Sequence, residues 1–276
     1  MRKTILGILL LLVAYAPGGQ AEQMLAVTRT GTSYSLIGFD TSNPTTHTST
    51  VALNLGGAQI YGIDLRPANA AVYALSSAGL YRLNLSTGAG TLIGGSLSLS
   101  GSAFGFDFNP VTDRIQVMSN TGQRLIVNPD TGVVESTTTG LSTAIVGSAF
   151  SNNLAGASST TLYGLDGSGN LYTQDISTGA VASIGGIMAS DINPKAAPSF
   201  DISGKTGLAY YDGGNSGVLL LGSYNFSTGE KIDHGIIAFF PVDELVGLTA
   251  IPEPSATWMV LPGVLFWVIG KRRRRR

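Results

Sequence analysis

Three aspartates, Asp64, Asp107 and Asp201, stand at the same place in three recurring segments, Ile60-Tyr61-Gly62-Ile63-Asp64, Phe104-Gly105-Phe106-Asp107 and Pro198-Ser199-Phe200-Asp201. Carboxylates repeated at one position could line a common axis and bind Ca2+ through oxygen. An aspartate before a turn more often accepts hydrogen bonds from that turn's backbone, and the turn role is the expectation here. Asp166-Gly167-Ser168-Gly169-Asn170 and Asp212-Gly213-Gly214-Asn215 resemble calcium loops superficially. They lack the spaced carboxylates and closing Glu of such loops and read as hairpin turns. No metal ligand set is assigned and no cofactor is expected. The two histidines, His47 and His234, lie in Thr- or Gly-rich connections with no Gly-x-Ser-x-Gly elbow around them. No nucleophile with an oriented base is therefore legible, and no catalytic residue is assigned. Tyr34, Tyr210 and Tyr211, taken as exposed, could stack on sugars, but tyrosine is also ordinary strand filler, and filler is preferred.

Composition narrows the partners. Eight of the sixteen Lys and Arg lie in the first three residues or the terminal cluster, so residues 22–270 carry eight basic against seventeen acidic groups. An acidic body of this kind does not attract nucleic acid or anionic lipid. The absence of cysteine rules out disulfides and thiolate metal sites. With 37 Gly and 12% charged residues, the chain is suited to turns and strands rather than to charged helices.

The elements that must position these residues repeat. Ser86-Thr87-Gly88, Asp130-Thr131-Gly132, Ser177-Thr178-Gly179 and Ser227-Thr228-Gly229, with Asp40-Thr41-Ser42 as a degenerate first copy, place their threonines 46, 44, 47 and 50 residues apart. In the clearest copy, Ile60 to Leu65, Val72 to Leu75, Leu80 to Leu85 and Thr91 to Ile93 read as strands, and Tyr81, Leu83 and Leu85 alternate with Arg82 and Asn84. Four antiparallel strands in about 45 residues are the mark of a β-propeller blade. The first unit offers only Met24 to Thr28, Ser35 to Phe39 and Thr50 to Leu53, while Val246 to Ile251 has no blade of its own. The expectation is an all-β propeller over 22–251 with five four-stranded blades, closed by pairing the two ends.

The termini read as addresses. Arg2 and Lys3 precede an apolar run from Ile5 to Ala14 and small residues at Gly19-Gln20-Ala21, the pattern of a cleaved signal peptide over residues 1–21. At the other end, Pro252-Glu253-Pro254 leads to an apolar stretch, Trp258 to Ile269, carrying Trp258, Val260, Leu261, Leu265, Phe266, Trp267 and Ile269. The stretch runs into Lys271, Arg272, Arg273, Arg274, Arg275 and Arg276, a stop-transfer cluster held on the cytoplasmic side. A helix over 255–270 would be about 24 Å long, short of the roughly 30 Å hydrocarbon core, which suits a temporary hold.

Two resemblances rest on these residues. Gly62-Ile63-Asp64-Leu65-Arg66-Pro67, Val72-Tyr73-Ala74-Leu75 and Leu80-Tyr81-Arg82-Leu83-Asn84 resemble a bacterial family of exported propeller-like domains with no assigned function, which implies the fold and no activity. The tail, residues 252–276, is similar to the PEP-CTERM sorting signal. That resemblance implies recognition by an exosortase-type transpeptidase, a transient inner-membrane anchor, and delivery to the envelope or exopolysaccharide matrix of a Gram-negative bacterium. The expected function is a non-enzymatic binding or scaffolding module with export machinery, exosortase and exopolysaccharide as partners. The alternative is a hydrolase or lyase acting on polysaccharide from the propeller channel.

Overall fold

The computed structural model describes residues 21–190, 192–215, 218–239 and 244–251. Residues 1–20 of the expected signal peptide (1–21) and the whole of the expected sorting signal (252–276) lie outside the described residues.

The first blade contains β1 (Gln23–Thr30), β2 (Ser33–Asp40) and β3 (Asn43–Leu53). The second runs β4 (Ile60–Arg66), β5 (Ala71–Ser76), β6 (Gly79–Leu83) and β7 (Gly90–Ile93), and the third β8 (Phe104–Asn109), β9 (Arg114–Ser119), β10 (Arg124–Val127) and β11 (Val134–Thr138). The fourth holds β12 (Ile145–Phe150), β13 (Leu162–Asp166), β14 (Asn170–Gln174) and β15 (Val181–Gly186). The fifth holds β16 (Phe200–Ile202), β17 (Ala209–Asn215), β18 (Val218–Tyr224) and β19 (Lys231–Phe239), after which β20 (Glu244–Ile251) pairs antiparallel with β1. The result is five four-stranded sheets, with β20, β4, β8, β12 and β16 innermost. The expected propeller and its closure are both present, and closure leaves the inner edge of β1 paired.

The repeated Thr-Gly markers have a local cause. Asn84, Asn128, Asp175 and Asn225 each end a third strand and accept the backbone N–H groups two and three residues on, from Ser86 and Thr87, Asp130 and Thr131, Ser177 and Thr178, and Ser227 and Thr228. The glycine that follows donates back to the carbonyl of the same Asn or Asp. At Gly88 this requires φ +71°, a conformation glycine adopts without a Cβ penalty.

Adjacent blades pack through seams. Four seams are filled by apolar clusters: Leu25, Leu36, Ile63 and Leu83 between blades 1 and 2; Tyr73, Leu80, Phe106 and Phe108 between 2 and 3; Leu165, Phe200 and Tyr211 between 4 and 5; Met24, Phe39, Tyr210 and Leu248 between 5 and 1. Full burial of one such side chain contributes about 1.5–3 kcal/mol. Of the three tyrosines taken as exposed, Tyr210 and Tyr211 are fully buried. Their strand, β17, lies between two seams, so both of its faces are covered, and the Tyr211 hydroxyl donates to Ile187 O and accepts from Ala189 N. Tyr34 is half-buried.

Asp212-Gly213-Gly214-Asn215 also departs from its expected turn. It forms the end of β17, and Asp212 is buried, accepting from Ser199 N at 2.5 Å and facing Lys195 Nζ at 2.5 Å. An available ion pair and backbone donor hold the segment extended despite its turn-forming composition. The other loop is a turn as read: Asp166 accepts from the backbone of Ser168 and Asn170 and from the Tyr172 hydroxyl.

Candidate functional site

The inner strands carry one equivalent position per blade: Thr249, Asp64, Asp107, Ala149 and Asp201, in order around the axis from blade 1 to blade 5. Two residues before it stand Gly247, Gly62, Gly105, Gly147 and Ser199. The reason is close approach. A Cβ placed on Gly105 would meet Ser148 N at 2.6 Å, and the inner strands of blades 3 and 4 could not stay in contact.

Each polar residue of the ring binds the backbone of the next blade. Asp64 Oδ2 accepts from Phe108 N at 2.8 Å, Asp107 Oδ1 from Phe150 N at 3.0 Å, and Asp201 Oδ2 from Ala250 N at 2.7 Å. Thr249 Oγ1 accepts from Leu65 N at 3.2 Å and donates to Asp64 Oδ1 at 3.0 Å. Ala149 has no acceptor to offer, and Ile202 N turns instead to Asp201 Oδ1. The expected role toward the following backbone covers only part of this: Asp64 Oδ1 accepts from Leu65 N and Asp201 Oδ1 from Ile202 N, each at 2.7 Å. These aspartates tie blades together across seams, while the turns are held by others, as where Asn109 accepts from Val111 and Thr112. Sequence position could not reveal this, because each acceptor's donor lies in the neighbouring blade.

The same geometry brings Asp64, Asp107 and Asp201 together. Each offers an oxygen, all within 4.8 Å of one another, and each residue is 1% exposed. At such spacing and an effective dielectric of about 20, each pair of ionised carboxylates repels by about 3 kcal/mol. Burial first, and then the charge of Asp201, pushes the Asp64 carboxyl well above the ordinary range. Burial, then Asp64 and Asp201, does the same to Asp107, and burial raises Asp201 to about 6 against the backbone N–H bonds of Ala250 and Ile202. Such a cluster either shares protons or holds a cation, and its all-oxygen donors suit a hard cation.

Above the ring, the axis opens into a cavity of about 60 Å3 whose lining includes Ile63, Phe106, Ser148, Phe200 and Leu248, the residues immediately before the ring position. The histidines are elsewhere. His47 is on β3 against Ile237 O at 3.0 Å, and His234 is on β19 with Nε2 2.8 Å from Ser223 Oγ, both on outermost strands. Burial holds the His234 imidazole below its usual pKa.

One feature escaped the sequence reading. Arg66, at the end of β4, reaches into blade 3 and forks onto Asp113 and Asp130, with Nη1 2.5 Å from Asp130 Oδ1. The two carboxylates raise its pKa further. A signal was available, since Asp130 replaces the serine that begins the other Ser-Thr-Gly markers at 86, 177 and 227.

The sequence profile of a family described as a domain of unknown function, DUF4394, matches residues 35–248. A search of the curated proteins finds no match. Among solved structures the chain is similar to TolB from Acinetobacter baumannii, at 15% identity over 78% of this chain and 53% of that one with a TM-score of 0.46. It is also similar to U3-55K, at 14% identity over 66% and 53% with a TM-score of 0.41, and to the WD40 domain of Toxoplasma gondii coronin, at 11% over 78% and 58% with a TM-score of 0.41. The chain spans little more than half the length of each, and these likenesses carry no functional information.

Proposed function

The chain belongs to the DUF4394 family of domains of unknown function, and from that premise we propose that it is an exported envelope or matrix protein whose propeller is a non-enzymatic binding or scaffolding module. The observation that carries this reading is the succession of three parts in the tail's sequence: Pro252-Glu253-Pro254, the apolar Trp258 to Ile269, then Lys271 to Arg276. It begins one residue after Ile251, the last residue of the ring-closing strand. Cleavage at Pro-Glu-Pro by an exosortase-type transpeptidase would leave all five blades whole, joined closely to the acceptor, with exopolysaccharide as a candidate acceptor or ligand.

The amino end supports the same reading. Glu22 is 2% exposed, its N–H donates to Thr41 Oγ1 at 3.0 Å and its carbonyl accepts from Thr41 N. A mature chain starting at Glu22 keeps every strand of blade 1. The alternative of polymer cleavage from the channel finds little support at the axis. A cavity of about 60 Å3 is far below the roughly 300 Å3 at which ligand pockets begin, and the carboxylates beneath it meet no histidine.

Mass spectrometry of the protein from its native host tests the proposal. The expected product starts at Glu22, lacks the residues beyond the Pro-Glu-Pro motif and carries an added group there. An envelope fraction retaining intact Lys271 to Arg276 refutes processing, and an unchanged biofilm on gene deletion, with no binding on glycan arrays, refutes the matrix role.

A further inference from the structure

We infer that the propeller axis binds one Ca2+ ion, with Asp64, Asp107 and Asp201 as its protein ligands. Three observations carry this, none of them dependent on export or sorting. The first is fit. The three ligand oxygens lie within 4.8 Å of one another. Ca2+, with Ca–O distances of about 2.3–2.6 Å and a flexible coordination geometry, suits oxygens at such spacing, and it gives up its waters to an all-protein site more readily than Mg2+ does.

The second is an unmade bond. Asp107 Oδ2 is buried with no hydrogen-bond partner, although Oδ1 of the same carboxylate is held by Phe150 N. Ser148 Oγ is buried and unpartnered too, and Ser148 lines the axial cavity next to the ring position of blade 4. Because that ring position is Ala149, blade 4 offers the carboxylates no side-chain ligand there, only the N–H of Phe150. A cation bound by Asp107 Oδ2, with a coordinated water donating to Ser148, would satisfy both groups.

The third is charge. Three buried acids face one another, while Arg29, Arg66, Arg114 and Lys195 are each paired with other carboxylates, Glu244, Asp113 and Asp130, Glu135 and Asp212. The hydrogen bonds to the ring come from backbone N–H groups and one threonine hydroxyl, so each bonded oxygen acts as an acceptor, and Asp64 Oδ2, Asp107 Oδ2 and Asp201 Oδ2 each keep a lone pair for a metal.

The test uses the full-length chain, stripped with EDTA and returned to metal-free buffer. Elemental analysis of the protein before stripping is expected to find one calcium per chain. Adding about 1 mM Ca2+ to the stripped protein should raise Tm by about 5 °C or more, and Mg2+ should do much less. Asp107→Asn keeps an oxygen for Phe150 N–H and should lose both the bound calcium and the Ca2+ response while its far-UV circular dichroism stays that of the wild type. Wild-type protein with no bound calcium and an unchanged Tm overturns the inference whatever the variant does. Equal responses in wild type and Asp107→Asn overturn it as well, by placing the ion elsewhere.

Discussion

The seam between blades 2 and 3 and the seam between blades 3 and 4 flank one sheet and are built on different physics. The first is packed with Tyr73, Leu80, Phe104, Phe106 and Phe108, the rings of Tyr73 and Phe108 meeting edge to face at 5.1 Å, and is tied at its rim by the Arg66 fork. The second brings Gly105 against Ser148 and places amides where its neighbour has aromatic rings. Gln116, directly across β8–β9 from Asp107, and Gln174, beside Gly164 on blade 4, are buried with neither amide atom partnered. Arg124 is buried there too, donating to Ser177 O at 3.3 Å, near a cavity of about 260 Å3 lined by Met118, Leu141 and Val181. One blade thus takes its cohesion from apolar burial on one face and from a few directed hydrogen bonds on the other. The partner of the inner-strand glycine marks the difference: Gly62 faces the Phe106 side chain, whereas Gly105 faces Ser148.

Substitutions in the two seams should separate these mechanisms. The largest loss is expected for Phe108→Ala, about 3–5 kcal/mol in urea or guanidinium unfolding, from lost burial plus the cavity left behind. A loss under about 1 kcal/mol would mean that the apolar seam does not hold the blades together. Gly105→Ala comes next at about 2–3 kcal/mol, since its Cβ would press on backbone that cannot rotate away. If it proves neutral, the tight contact of blades 3 and 4 is not required. Arg66→Met should cost about 1–2 kcal/mol, tempered because Asp113 and Asp130 are partly open to water and can rehydrate.

Gln116→Met reverses the sign. Removing an amide with no partner and keeping its volume should be neutral or stabilise by up to about 1 kcal/mol. A clear destabilisation would show that water or another group satisfies Gln116 and that the polar seam is complete. The smallest effect concerns His234, which faces Tyr210 in the seam of blades 5 and 1. Its folded pKa is depressed, so the unfolded chain binds the proton more readily, and stability is lost as pH falls below about 6.5. Melting curves of wild type and His234→Gln between about pH 7 and 5 should converge as pH falls; parallel curves would mean that burial leaves His234 unperturbed.

Much of the architecture was legible because its signals are local. The Asn84 and Asn128 turns bond within three residues of themselves, the alternation of Tyr81, Leu83 and Leu85 follows from strand pleat, and the unpaired Val246 to Ile251 had a vacancy to fill beside β1. The common position of Asp64, Asp107 and Asp201 was readable for the same reason. What those carboxylates bind was not, since Phe108 N, Phe150 N and Ala250 N each belong to the neighbouring blade. Thr249 was missed as a ring member because threonine at the equivalent position shares no obvious chemistry with aspartate until both are seen accepting the same kind of N–H.

By itself, then, the sequence determined an all-β chain of five repeating units, its end-to-end closure, and the regular placement of three acids on inner strands, all consequences of backbone periodicity and turn chemistry acting over a few residues. Only the tertiary structure decided that Tyr210 and Tyr211 are both buried, that Asp212 lies in a strand, and that three aspartates from three blades meet at one point. Those outcomes depend on which surface covers each face of a strand and on how closely the inner strands approach the axis, distances that are set when the ring closes.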